Sequence, residues 1–318
     1  VSRPLSIFFA LLGAFSQALT SVLQRQANVS GNAGDGGRTR SGWETTKYLV
    51  RQPMWLAGMA TMGGTFVFTA TALYLGELAT VQPILVTELI FTLALRALWL
   101  HDRIASRTWG AAAVLCAGLG GFLVAAHPRE GIGRPALSDW AVALSTRGVL
   151  IVALVLLARY GSPARKAALL GAAAGLMWAI DAAVVKSATE ILGHEGIVHL
   201  FLHWPVYGVV ITGVLGTILL EAAFAAGPLA ASQSTLLIVD PLASIAIGVE
   251  LFQEKLNHSP GAIAAQVICL LAMFTGVVLL SRWAPPVMEA RSRRSAQNVT
   301  AGIPLVVPGE VEPDRPAE

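Results

Sequence analysis

Acidic side chains set within long apolar stretches are the residues of this chain best placed to do chemistry. Glu88 closes the run Gly76-Glu-Leu-Ala-Thr-Val-Gln-Pro-Ile-Leu-Val-Thr-Glu88. Asp240 closes a similar run, Gly227-Pro-Leu-Ala-Ala-Ser-Gln-Ser-Thr-Leu-Leu-Ile-Val-Asp240. A charge at the centre of a bilayer costs about 2.5–3.5 kcal/mol on insertion scales, so such residues are retained for use. Carboxylates there can bind a proton, a cation, or a cationic group of a solute. Asp181 offers a third carboxylate, and Arg147 in another apolar run is suited to act as a counter-ion. Gln233 and Ser244 fall on the Asp240 helix face, seven and four residues away, and Gln17, Thr20, Ser21 and Gln24 form a polar stripe near the N-terminus.

A second cluster, His194-Glu195-Gly-Ile-Val-His199-Leu-Phe-Leu-His203, contains metal-binding residue types. His199 and His203 share a helix face, but the second His comes one residue late for the His-Glu-x-x-His spacing of zinc proteases. No metal ligands and no cofactor are assigned on this pattern, and an intramembrane enzyme built on these histidines is the alternative to a carrier.

Composition fixes the elements that must position these groups. Of 318 residues, 55% are hydrophobic and 13% charged, against about 25% charged in a soluble domain. Nine stretches are long enough to cross the hydrocarbon layer, at about 5–23, 54–75, 78–100, 109–126, 140–158, 167–185, 206–226, 229–249 and 262–280. With no water available in the bilayer core, each must close its backbone hydrogen bonds as a helix. No period-two alternation supports a β-barrel. The two cysteines, Cys116 and Cys269, read as buried filler.

The chain is internally duplicated. Both acid-bearing runs start Gly-x-Leu-Ala, and each is followed fourteen residues after its acid by an acid–base pair, Asp102-Arg103 and Glu254-Lys255. Cys116 and Cys269 continue the echo, and Ala10–Arg25 aligns more weakly with Gly171–Lys186. Span one pairs with six, three with eight and four with nine. Spans five apart enter from opposite sides, so the fold expected is all-α and polytopic, two inverted repeats joined by a connecting helix. The divisions are 1–139 for the first repeat, 140–160 for connecting span five, 161–282 for the second repeat, and 283–318 for a disordered tail. A Gly-rich loop at 28–42 is expected to be mobile.

Most Lys and Arg outside the spans fall in segments 24–53, 102–108, 159–166 and 282–318. Arg3, Arg129, Arg134, Lys186 and Lys255 fall on the other face. The bias places the tail in the cytoplasm and the N-terminus outside a cell membrane. The net charge of +3 therefore needs no nucleic-acid partner; the partners expected are the bilayer and a small solute or cation. Pro83 and Pro228 lie near span starts, where proline costs little. Glycines crowd spans two and four (Gly58, Gly63, Gly64, Gly110, Gly118, Gly120, Gly121), which suits close helix packing or a homodimer contact.

The paired segments and the inverted duplication resemble the drug/metabolite transporter superfamily, of the EamA-like kind. Gln52-Pro-Met-Trp-Leu-Ala-Gly-Met59 through Ile104 looks most like its NIPA-type magnesium transporter branch. The likeness covers about residues 5–282. It implies a carrier working by alternating access without ATP hydrolysis, moving a small solute or a cation such as Mg²⁺, with Glu88 and Asp240 as binding residues. The chain departs from that branch at Gly63-Gly-Thr-Phe-Val-Phe68, where the branch has a Gly-Glu-x-x-Asn feature.

Overall fold

The computed structural model describes residues 3–33, 53–99 and 104–283. The rest of the Gly-rich loop, the pair Asp102-Arg103 and the tail from residue 284 lie outside the described residues. Among those described, no strand forms, and nine helical stretches are long and apolar enough to cross a membrane. The protein is an all-α, polytopic membrane protein.

Span one lies in the helix Arg3–Ala33, span two is Pro53–Leu75, and span three is Leu78–Leu85 continued by Glu88–Trp99. Spans four and five are Ser106–Ala126 and Leu137–Leu157, span six is Pro163–Glu195, and span seven is Trp204–Ala226. Leu229–Glu250 and Pro260–Trp283 are spans eight and nine. Prolines open several of them. Pro163, Pro205 and Pro260 stand in first turns, where the missing N–H has no intrahelical partner to lose. Ser162 also caps span six, its Oγ accepting from the Arg165 N–H at 3.4 Å.

Three boundaries differ from those read off the sequence, two of them with a visible cause. The helix of span one runs on to Ala33. Span six continues from residue 185 to Glu195, because Lys186 does not mark a membrane edge. Its side chain is buried and paired inside the bundle, so it does not count among the outer-face cations either. Span three is broken in its middle. Pro83, expected to cost little near a span start, sits inside the first half. After it the Val86 and Thr87 N–H groups reach back only three residues, to Pro83 O (3.3 Å) and Ile84 O (2.9 Å). This tight turn re-aims the helix just before Glu88.

Span six forms the centre: 67% of its apolar window is buried, against 11% in each of spans five and seven. Its Gly171-Ala-Ala-Ala-Gly175 run lets span eight approach to backbone contact. A Cβ on Gly171 would lie 2.4 Å from Ser232 O, and one on Gly175 would lie 3.0 Å from Asp240 N. Span one packs on spans two and three as span six packs on seven and eight, and spans four and nine pack on each other. Span five packs against span six.

The glycines of span four divide by face. A Cβ on Gly118 would stand 2.4 Å from Met273 N of span nine, and one on Gly121 would stand 2.5 Å from Cys269 Sγ. Gly110 and Gly120, like Gly63 of span two, face open space. Cys116 is exposed, not buried filler, while Cys269 is partly buried in this seam. Gly118→Val is expected to cost about 1–3 kcal/mol through overpacking, seen as a lower melting temperature of the purified protein. Gly120→Val should leave that temperature unchanged.

Candidate functional site

The middle of the bundle brings together acids from three spans. Asp240 precedes Pro241, which lies within span eight and denies the Leu237 carbonyl its helical donor. Ser244, one turn on and fully buried, donates from Oγ to Asp240 Oδ1 at 3.3 Å. The backbone of Asp240 packs directly on Gly175. Asp181 of span six accepts a 2.6 Å hydrogen bond from Thr212 Oγ1 of span seven. Glu88 opens the second half of span three, immediately after the break, and is partly buried. Glu88 and Asp181 both lie near enough for Asp240 to feel their charge. Among the described residues, no Lys or Arg forms an ion pair with any of the three.

Other residues expected in this group are elsewhere. Gln233 is exposed. It shares the azimuth of Asp240, but seven residues carry it about 10 Å along the axis towards the helix end. Thr20 is buried and occupied, its Oγ1 within hydrogen-bond distance of Ser16 O (2.9 Å) and of Thr61 Oγ1 of span two (2.8 Å). Ser16 donates to Thr61 O at 2.8 Å. The polar stripe of span one therefore serves in part as a seam to span two, and Gln17 is only partly buried beside it. Arg147 is a counter-ion, but to Glu250 at the end of span eight and not to the central acids. Its long side chain reaches towards the membrane boundary to find that partner.

A buried ionic group that was not assigned from sequence lies between spans three and six. The Glu254 carboxylate, with its side chain fully buried, accepts from the Leu78 N–H (2.7 Å) and the Ala79 N–H (3.0 Å). These are orphan donors at the start of span three, where a negative charge also complements the helix dipole. Lys186 Nζ completes the knot, 3.0 Å from Glu254 Oε1, 2.8 Å from Gly76 O, and 5.2 Å from the Phe252 ring centroid. Glu77, also buried, accepts from Thr80 Oγ1 at 2.9 Å beside it. The knot ties span three to span six and to the 251–257 strap. The sequence signal was the Glu254-Lys255 pair itself. In extended backbone, neighbours point to opposite sides, so Glu254 goes inward while Lys255 is exposed.

The clustered histidines each make a local bond to their own backbone. The Nδ1 atoms of His194, His199 and His203 turn back to carbonyls four residues earlier, at 3.0, 3.1 and 2.8 Å. Glu195 is bonded to Arg134. Among the described residues, no group of three metal-ligating side chains occurs.

The chain is 31% identical over 293 residues to an uncharacterized protein of Corynebacterium glutamicum, an alignment covering 92% of this chain and 99% of that one. The chain belongs to the family of that protein. No family model and no solved structure matches it. The alignment runs over nearly the full length of both chains, so it takes in the membrane body and not a single segment. What that body can do follows from its chemistry: carboxylates with no ion pair among the described residues, a hydroxyl on two of them, and two weakened helices at the level where they meet.

Proposed function

We propose that the protein is a secondary transporter that moves a small cationic solute or a cation by alternating access. The observation that carries this reading is the meeting of Glu88, Asp181 and Asp240 inside the bundle, with no Lys or Arg paired to them among the described residues. Three like charges in a medium of low dielectric repel strongly, and a proton or another cation is the natural species to relieve them. The broken span three and the proline in span eight supply backbone carbonyls and hinge points beside them, as discontinuous helices do in carriers. The matching packing of spans one to three and six to eight supports two halves of opposite insertion. Rocking one half on the other would expose the acids to alternate sides.

The resemblance to the drug/metabolite transporter superfamily points the same way. Within it, the missing acid and amide at Gly63–Phe68 favour a solute or proton role for the site over a site dedicated to Mg²⁺. The charge bias orients the N-terminus outside and the C-terminus in the cytoplasm of the cell membrane. The test is flux into liposomes reconstituted with the purified protein under imposed pH, Na⁺ and divalent-cation gradients. Saturable, gradient-driven flux above empty liposomes is expected. Flux at the empty-liposome level for every cation and cationic metabolite tried would remove the proposal.

A further inference from the structure

We propose that the cleft between the end of span four and the strap leading into span nine binds a phosphate-type anion. The cleft has a volume of about 470 Å³ and is lined by His127, Arg129, Lys255, Leu256, Asn257 and His258. That volume suits a small ligand or a lipid headgroup. No acid is among the lining residues, and two permanent cations face two imidazoles and an amide. Among the described residues, the Arg129 and Lys255 side chains make no ion pair and no hydrogen bond. Both are exposed, with the guanidinium fork and the ammonium available together. A bidentate fork with an adjacent point charge is the donor set that phosphate oxygens take.

The cleft is built, not incidental. Its two walls are sewn by backbone bonds in both directions between Arg129 and Lys255, at 2.9 and 3.1 Å, and by the Asn257 N–H to Ala126 O at 2.8 Å. His127 turns the chain out of span four with φ 41°, and Gln253 turns the strap with φ 55°. Gly131 is required where the walls meet, since a Cβ there would lie 1.9 Å from Phe252 O. The Asn257 Oδ1 is held by the Ser259 N–H at 3.1 Å, which leaves its amide N–H groups for a ligand. The site begins one residue after span four ends and stops two before span nine starts, which puts it at headgroup depth. On the orientation proposed above this is the outer face, where topology disfavours Lys and Arg. A bound anion gives Arg129 and Lys255 a reason to be there.

Two sources supply such an anion, a lipid phosphodiester and free phosphate, and they are separable. The full-length protein in a neutral detergent is titrated with inorganic phosphate in one arm. In the other it is titrated with short-chain phosphatidylglycerol, with phosphatidylcholine as control, ionic strength being fixed with NaCl. Thermal stability is the readout. A saturable rise is expected, shifted to concentrations about tenfold higher or more in the Arg129→Gln, Lys255→Gln double variant. A response to phosphatidylglycerol alone assigns the lipid; a response to phosphate, with or without the lipid, assigns the free anion. Because both side chains are exposed, the unliganded double variant should melt with the wild type; if it does not, Arg129→Lys, which keeps the charge and loses the fork, replaces it. No response from either probe, or one that the substitutions leave unshifted, overturns the proposal.

Discussion

Glu254→Ala is expected to destabilise the protein by about 3–5 kcal/mol, the usual result of removing one partner from a buried ion pair. The Leu78 and Ala79 N–H groups lose their acceptor, and the Lys186 ammonium loses its counter-charge, keeping only Gly76 O. The Lys186 side chain is only 10% exposed, so water cannot replace the lost carboxylate without opening the joint. Lys186→Met should also destabilise, and the double variant should lose less than the two single losses added together, because each single change strands a charge that the double does not. Thermal melting of the purified variants measures this. A Glu254→Ala protein that melts with the wild type would show that the knot does not hold these spans together.

Flux should collapse in the variants that neutralise the central acids. Glu88→Gln and Asp240→Asn are each expected to cut gradient-driven transport by about tenfold or more, and together to bring it to background. The size follows from losing charge-assisted contacts worth about 1.5–3 kcal/mol apiece. Both replacements keep the shape of the acid, and each removes a like charge from the cluster, so melting temperatures at or above the wild type are expected. The two properties must separate in this direction. Acids that served only the fold would give the reverse: lower stability with flux retained.

The architecture was legible in the sequence because membrane helices must satisfy their own backbone, so apolar length alone reveals them. The echo around Glu88 and Asp240 paired spans as equivalents and said nothing of which spans touch. What could not be read were events set by side chains far apart in the chain. Lys186 looked like a helix end because its partner Glu254 lies 68 residues away. Pro83 looked innocuous because its effect appears in the turn after it. Arg147 was recognised as a counter-ion, but helix periodicity cannot say which acid a long side chain will reach. Gln233 shows the limit of face arguments: sharing an azimuth with Asp240 does not give it the same depth. Thr20 had the right polarity and was claimed by Thr61 across a helix contact that no one-dimensional pattern displays.

Water beside Asp240 is what the whole account requires, and cysteine reactivity reports it most directly. Cys116 and Cys269 are first replaced by Ala, and Asp240→Cys is treated in sealed vesicles with a charged, membrane-impermeant thiol reagent. Val214→Cys on span seven serves as the comparison, since Val214 is 54% exposed on a helix with little burial. Thiols react as hydrated thiolates, so the Asp240→Cys protein is expected to react about tenfold faster or more than this lipid-facing control. Equal rates at the two positions would mean that the central acids sit in a dry interior, and the carrier reading would be contradicted.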